Sequence, residues 1–203
     1  MRIPYSALAL LLVLGCSGAD GMSEGDVADP NADGGAADAG AVDETMSGEA
    51  VYQSMCASCH GAAGEGTSLG YALRHPTRAF ATWVIRHGRG GDEFGTAMAA
   101  YGSNVISDEQ LDEMFTWLDS FPQPTAGEDL YADYCANCHG TDPFDGGVVN
   151  KDIGGEGYSE ILETAREGES VTDYGDRGEY MPAFSNSRLS DDELKQISDW
   201  IDR

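Results

Sequence analysis

Two copies of one short segment constrain this chain of 203 residues more than any other feature of its sequence. Residues 48–61 align without gaps with residues 127–140, at an offset of 79. Both segments contain two cysteines and a histidine at the same spacing: Cys56, Cys59 and His60 in the first, and Cys135, Cys138 and His139 in the second. Such a repeat indicates two copies of one structural unit, and we expect two small domains, over residues 48–122 and 123–203.

The remaining pattern of each copy predicts helices. Ser107 and Ser190 each precede an apolar stripe at helical spacing and have Gln or Glu three residues later, which is a capping box. A middle helix is expected over residues 77–87, with its counterpart over 159–167, and a glycine follows each. The sequence has no alternation of apolar and polar residues long enough for a strand. We therefore predict an all-α fold with about three helices in each copy, including one before each cysteine pair.

The spacing Cys-x-x-Cys-His is the attachment signature of c-type haem. Two thiols on one turn can each add to a haem vinyl group, and the adjacent imidazole can bind the iron. A thioredoxin-like redox pair and a zinc site use similar spacings. A redox pair would lie at the end of a strand in a βαβ unit, and the sequence shows no such unit. A zinc site would combine the cysteines and histidines of both motifs, but two copies that each repeat their own last helix do not need to share a metal. Such short copies, with few large apolar residues, rarely hold a core alone. We therefore also expect two covalently attached haem c groups, one filling the centre of each copy.

Two methionines are predicted as the sixth iron ligands. Met98 and Met181 each lie nine residues before the serine that starts the last helix of their copy, and each has an aromatic residue three positions later. Methionine ligation raises the reduction potential of haem iron, whereas other methionines usually fill gaps in a core. His75 and His87 are the rival ligands in the first copy, but neither has a counterpart in the second. We interpret both histidines as surface residues.

These motifs, over residues 48–203, resemble class I cytochrome c domains, which have Cys-x-x-Cys-His near the start, a Met-Pro-Ala-Phe-like loop and a C-terminal helix. Together the two copies resemble di-haem cytochromes c of the cytochrome c4 type, or a haem subunit of a respiratory complex. The resemblance implies that the first and last helices of each copy cross near a glycine and a tyrosine and pack on a tryptophan: Gly48, Tyr52 and Trp117, and Gly127, Tyr131 and Trp200.

The resemblance also implies an electron carrier rather than an enzyme. With histidine and methionine on both irons, no position remains for dioxygen, peroxide or another small-molecule substrate. The chain would then carry single electrons between periplasmic or membrane redox partners. The alternative is a haem enzyme, either a small di-haem peroxidase or a dehydrogenase subunit, with an open site at the first haem. That haem is the candidate because Ala99 follows Met98 where the second copy has Pro182.

The amino terminus is typical of a bacterial export signal over residues 1–16. Its apolar run is too short to span a bilayer, and it ends at Cys16 in a segment that resembles the lipobox of bacterial lipoproteins. A plain secretory signal is the alternative. Residues 17–47 are rich in Gly, Ala and acidic side chains, which predicts a disordered acidic linker. We expect lipidation at Cys16 and a lipid anchor on the periplasmic side of a bacterial membrane. The resemblance to other lipoproteins implies a preference for the outer membrane, because Ser17 stands where an aspartate would favour retention in the inner membrane.

The charge of the chain limits its partners. It has 36 acidic and 11 basic residues and a net charge of −25, which disfavours nucleic acid and anionic membrane surfaces. Residues 50–122 carry a net charge of −4 and residues 123–203 a net charge of −13. We therefore expect the second copy to attract a redox partner with a basic docking surface. Four arginines of the first copy form either a docking face for an acidic partner or a solvated helix face: Arg74, Arg78, Arg86 and Arg89.

Overall fold

The computed structural model describes residues 42–91, 94–170, 172–175 and 180–203. The predicted signal segment, Cys16 and most of the predicted linker therefore lie outside the described residues. Among the described helices, none has the length and apolar character needed to cross a membrane.

The described part of the chain is helical, with three isolated β-bridges and no strand. The helices of the first copy are α1 (Gly48–Met55), α2 (Ala57–His60), α3 (Arg78–His87) and α4 (Asp108–Asp119). Those of the second copy are α5 (Gly127–Tyr134), α6 (Ala136–His139), α7 (Tyr158–Glu167) and α8 (Asp191–Ile201), with a 3₁₀ turn over Gly147–Val149. The predicted all-α fold is confirmed, and each copy has one short helix more than the three expected.

The predicted helix ends are confirmed at the backbone level. Ser107 accepts a hydrogen bond from the Gln110 amide, and its own amide donates to the Gln110 side chain at 3.0 Å. Ser190 and Glu193 form the same reciprocal cap on α8. The middle helices α3 and α7 stop at glycines with positive φ angles of 73° and 67°, a conformation that glycine adopts without steric cost.

The first and last helices of each copy cross at a glycine, as the resemblance implied. A Cβ atom on Gly48 would lie 2.1 Å from the Met114 backbone nitrogen, and one on Gly127 would lie 2.1 Å from the Gln196 carbonyl oxygen. Next to these crossings, the Tyr52 and Trp117 ring centroids are 4.9 Å apart. The equivalent rings in the second copy, Tyr131 and Trp200, are 4.8 Å apart. The absence of a side chain at both glycines lets the helix backbones approach closely enough for these rings to pack.

The two copies are docked on each other through polar and aromatic contacts. Arg188 of the second copy donates to the Asp119 carboxylate at 2.8 Å and to the Pro76 carbonyl at 3.1 Å in the first copy. Gln123, the first residue of the second copy, donates to the Arg188 carbonyl within that copy. Tyr71 of the first copy is part of the buried cluster of the second copy. The short connecting segment therefore joins two domains that contact each other directly.

Candidate haem sites

The first Cys-x-x-Cys-His segment forms a single helical turn. Cys56 ends α1, and its carbonyl accepts hydrogen bonds from the amides of Cys59 at 3.1 Å and His60 at 3.0 Å. Gly61 then ends the turn at φ 84°, and its carbonyl accepts a hydrogen bond from the Tyr52 hydroxyl at 2.8 Å. This turn brings both thiols and the imidazole to one side of the backbone, as attachment and axial ligation of one haem require.

The second segment repeats this geometry almost without change. The Cys135 carbonyl accepts from the Cys138 amide at 3.1 Å and from the His139 amide at 3.0 Å. Gly140 has φ 86°, and its carbonyl accepts from the Tyr131 hydroxyl at 2.9 Å. The sequence repeat is therefore also a repeat of local hydrogen bonding.

The first thiol of each pair is in an environment that favours the protonated form. Burial and the neighbouring cysteine raise the pKa of Cys56 to about 12, and the same two causes raise the pKa of Cys135 to about 12. Neither cysteine pair is joined by a disulfide. Redox-active Cys-x-x-Cys pairs instead have a lowered thiol pKa, so this environment disfavours the thioredoxin-like interpretation.

Both candidate axial histidines are oriented through their Nδ1 atoms. His60 Nδ1 lies 2.9 Å from the Tyr71 carbonyl oxygen, and His139 Nδ1 lies 3.5 Å from the Lys151 carbonyl oxygen. A carbonyl only accepts hydrogen bonds, so Nδ1 carries the proton and Nε2 keeps its lone pair for a metal. Burial, with the nearby Arg89 guanidinium as the second cause, lowers the pKa of His60 to about 4. Burial also lowers the pKa of His139, so both rings are held in the neutral form that binds iron.

Each candidate methionine is held by a two-bond backbone bridge. Met98 and Arg89 exchange N–H···O bonds of 2.8 and 2.9 Å, and Met181 and Glu169 exchange bonds of the same two lengths. These bridges join the methionine loop to the residue after the glycine that ends the middle helix. The two copies therefore present their methionines in the same structural register, as the sequence spacing predicted.

Both sites open into one continuous cavity of about 320 Å³ between the two copies. Its lining includes all eight candidate site residues: Cys56, Cys59, His60 and Met98, and Cys135, Cys138, His139 and Met181. Most other lining side chains are apolar or aromatic. The chemistry of this wall, which is apolar and carries two thiols, an imidazole and a thioether from each copy, suits a haem in each copy. The sequence did not predict that the two sites share this space.

The prediction for the two rival histidines is confirmed for His87 and wrong for His75. His87 is exposed, and its ring stacks on Trp83 with centroids 4.5 Å apart. His75 is only 6% exposed and lines the shared cavity. Its ring stacks parallel to Tyr134 of the second copy at 5.8 Å. The second copy covers His75, and the pattern within one copy carries no signal of that contact.

The four arginines of the first copy are engaged with groups of the protein itself. Arg74 donates to the Ala63 carbonyl, and Arg78 pairs with Asp112 and Asp119. Arg86 donates to the carbonyls of Tyr101 and Ile106 and pairs with Asp108. Arg89 donates to the side chain and the backbone carbonyl of Asn137, inside the second Cys-x-x-Cys-His segment. These contacts tie the arginines to helix ends, loops and the contact between the copies.

Sequence reasoning missed several residues of the cavity wall. Phe80 of α3 stacks on Tyr180, the residue before Met181, with centroids 5.0 Å apart. Asp133 also lines the cavity, and burial raises the pKa of its carboxyl to about 6. These residues have no equivalents at the repeated positions, so no repeat pattern could have found them.

Comparison with known proteins gives one family and several relatives. The family described as cytochrome c oxidase, cbb3-type, subunit III matches the chain twice, over residues 43–118 and 122–201. A cbb3-type cytochrome c oxidase subunit CcoP from Rhodobacter capsulatus is 29% identical over 187 residues. The CcoP subunit of Azospirillum sp. (strain B510) is 27% identical over 187 residues. For both relatives the match covers 76% of this chain and 60% of the relative.

A third relative has a different name within the same group. It is the cbb3-type cytochrome c oxidase subunit FixP of Sinorhizobium medicae (strain WSM419), which is 25% identical over 141 residues. That match covers 61% of this chain and 47% of the relative. The chain thus spans about 60% or less of the length of these curated relatives.

The two family matches correspond to the two structural copies described above. Each copy is a cytochrome c domain, and its Cys-x-x-Cys-His turn and its methionine both line the shared cavity. Since the matches together cover most of the sequence, the chain belongs to the family of cytochrome c oxidase, cbb3-type, subunit III.

Proposed function

We propose that this protein is a di-haem c-type cytochrome that carries single electrons between redox partner proteins. The observation that supports it most is the single cavity into which both Cys-x-x-Cys-His turns and both methionines open. In this proposal the first haem is attached to Cys56 and Cys59 and ligated by His60 and Met98. The second is attached to Cys135 and Cys138 and ligated by His139 and Met181.

The haem groups supply one-electron exchange at iron, and the chain's own residues control access to it. The Nδ1–H bonds to the Tyr71 and Lys151 carbonyls hold each imidazole in the tautomer that binds metal. The backbone bridges at Met98 and Met181 hold each thioether against its site. With both axial positions closed by protein ligands, no substrate can bind iron, which favours a carrier over an enzyme.

The shared cavity also supports electron exchange between the two copies. Arg188, Asp119 and the Pro76 carbonyl hold the domains together next to it. A fixed arrangement of the two domains keeps the inter-haem distance constant. Electron transfer between the two haems then needs no diffusional search. Electrons could thus enter at one copy and leave at the other.

A visible spectrum of the exported, reduced protein with and without carbon monoxide tests this function. We expect a two-haem c-type spectrum, with two haems per chain by pyridine haemochrome, that carbon monoxide does not change. A spectrum in which about half the haem binds carbon monoxide would support the haem-enzyme alternative with an open first site. Peroxide turnover would then be measured. A protein without haem would contradict both.

The net charge of −13 on residues 123–203 supports a basic docking surface on the partner. Such association is steered by charge and weakens as salt screens it. Stopped-flow reduction by a basic cytochrome c should slow by about tenfold or more between low and physiological ionic strength. A small neutral reductant provides the control, and an equal salt response with it would contradict charge-steered docking.

We further propose that the mature protein is held by lipid at Cys16 on the periplasmic side of a membrane, with the outer membrane preferred. The supporting features are the short apolar run and the lipobox-like segment at its end. Mass spectrometry of the mature amino terminus and membrane fractionation test this. Cys16→Ser should release the protein from the membrane fraction, and an unchanged distribution would contradict lipid anchoring.

A further inference from the structure

The two copies carry opposite charges at one equivalent position. Arg89 and Glu169 each follow the glycine that ends the middle helix of their copy. Each exchanges two backbone hydrogen bonds with the candidate methionine ligand, Met98 for Arg89 and Met181 for Glu169. The backbone geometry at this position is the same, so the main difference between the copies here is the sign of the side-chain charge.

The Arg89 charge lies between the two candidate haem sites. Its guanidinium carbon is 4.8 Å from the centre of the Tyr71 ring, and its side chain lines the shared cavity. Its donors reach Asn137, between the two cysteines of the second site. The Tyr71 carbonyl faces His60 Nδ1 at 2.9 Å, so the guanidinium packs on the residue that orients the first axial ligand.

The surroundings of the second axial ligand are different. Two side chains of opposite charge, those of Lys151 and Glu169, act on His139, and the Lys151 carbonyl also faces its Nδ1 atom at 3.5 Å. The two charges oppose each other. The first axial ligand therefore has a positive neighbour, whereas the second has neighbours of both signs.

This difference affects the two irons unequally. Oxidised haem iron has one more positive charge than reduced iron, so a nearby cation favours the reduced form and a nearby carboxylate favours the oxidised form. One contact acts in the opposite direction. The Nδ1 bond of His60 is 2.9 Å, against 3.5 Å for His139, and a stronger bond makes an imidazole more basic and favours oxidised iron.

We propose that Arg89 and Glu169 form an electrostatic bias that places a single electron preferentially on the first haem. Electrons then enter through the acidic second copy and leave through the first. This inference rests on the proposed function, because it needs two haems in the chain. In this inference, two residues that do not bind iron set the difference between the reduction potentials of the two haems.

Spectroelectrochemical titration of the mature two-haem protein tests the bias. In Arg89→Gln we expect the higher of the two midpoint potentials to fall. The inter-haem equilibrium constant should change by about threefold to tenfold, which is about 30 to 60 mV at 59 mV per tenfold. In Glu169→Gln we expect the lower midpoint potential to rise, and the inter-haem equilibrium constant to change by about twofold. The effect is smaller because this side chain is exposed and its charge is screened by solvent. The double variant should bring the two midpoints closest together.

Two variants separate the charge from other effects. Arg89→Lys keeps the positive charge but loses the forked contact with Asn137, and it should retain most of the wild-type separation. Glu167→Gln removes an exposed carboxylate two residues before Glu169, where no bridge to Met181 exists, and it should leave both midpoints in place.

Several outcomes would overturn the inference. One is a fall of the lower midpoint potential in Arg89→Gln, and another is that neither Arg89→Gln nor Glu169→Gln changes a midpoint potential. A third is that Arg89→Lys and Arg89→Gln change the midpoint potentials equally. The last is that Glu167→Gln changes them as much as Glu169→Gln does. Haem is counted first by pyridine haemochrome. A count other than two would contradict the proposed function itself, whereas two haems with any of these outcomes would contradict only the bias.

Discussion

At the scale of single residues, the repeated turn is the most self-sufficient part of the molecule. The carbonyl of each first cysteine accepts hydrogen bonds from the amides three and four residues later, and a positive-φ glycine ends each turn. Local spacing alone thus brings the two thiols and the imidazole together. Where a residue depends on the other copy, as His75 and Asp133 do, its environment was not predictable from spacing.

Met98 is expected to close the first haem to external ligands. In Met98→Ala about half of the haem should bind carbon monoxide in the reduced protein, because one of two axial positions opens. The matched control is Met46→Ala, a partly buried methionine that packs on the first core cluster and does not line the cavity. A spectrum of Met98→Ala that carbon monoxide leaves unchanged would contradict ligation by this residue.

Asp133 should make stability depend on pH. Burial raises the pKa of its carboxyl from 3.8 to about 6, so folding favours the neutral form. That contribution to stability is fully present below pH 3.8 and is lost as the pH rises through about 6. Asp133→Asn should therefore be more stable than the wild type at pH 7.5, by about 1 to 2 kcal/mol after allowance for partial exposure, and equally stable near pH 4.

Thermal unfolding at the two pH values measures this difference. Glu128→Gln removes an exposed carboxylate from the same helix that is not among the charges acting on Asp133, and it should not raise stability at either pH. An Asp133→Asn variant that is less stable than the wild type at pH 7.5 would show that the carboxylate has a stabilising partner in the haem-loaded protein.

At the scale of helices, the crossing between the first and last helix of each copy depends on a glycine. The nearest atoms that a Cβ would meet at Gly48 and Gly127 belong to backbone, which cannot rotate away as a side-chain end can. The same crossing recurs in both copies with an adjacent tyrosine–tryptophan pair. The helices and their caps followed from sequence periodicity, but the closeness of the crossing followed only from the resemblance.

Gly127→Ala is expected to separate α5 from α8. A methyl group 2.1 Å from the Gln196 carbonyl oxygen must push the helices apart, which should lower the free energy of unfolding by about 2 to 3 kcal/mol. Chemical denaturation followed by circular dichroism measures it. Gly157→Ala, where a Cβ would meet nothing within 4 Å, should cost less than about 1 kcal/mol. Equal effects of the two variants would contradict the crossing geometry.

At the scale of the whole molecule, the contact between the copies gives two similar domains different surroundings at their candidate haem sites. Arg188, His75 and Tyr71 take part in this contact, and none has a matching role in the other copy. The contact also places both candidate haem sites on one cavity. An internal electron path depends on this arrangement more than on either copy alone.

Arg188→Gln should loosen the two copies. The arginine makes a 2.8 Å bond to Asp119 and a 3.1 Å bond to the Pro76 carbonyl, and hydrogen bonds to charged groups contribute about 1.5 to 3 kcal/mol. We expect a larger radius of gyration by small-angle X-ray scattering and about tenfold faster proteolysis between residues 121 and 125.

Arg166→Gln is the control for this change. Arg166 donates to the Phe184 carbonyl and pairs with Asp191, both in its own copy. It should lower the thermal stability of the second domain and leave the scattering profile of the folded protein unchanged. Loosening in Arg166→Gln but not in Arg188→Gln would contradict the assigned contact.

The sequence by itself determined the repeat, the all-α class, the caps of the last helices and the turn that presents two thiols and a histidine. Each of these depends on residues close together in the chain, whose spacing sets which side chains share a turn or a helix face. Only the tertiary structure decided that His75 is buried, that Arg89 reaches the second site, and that the two sites share a cavity. These features depend on the docking of one copy on the other. That docking joins residues tens of positions apart, which neither periodicity nor the repeat relates to each other.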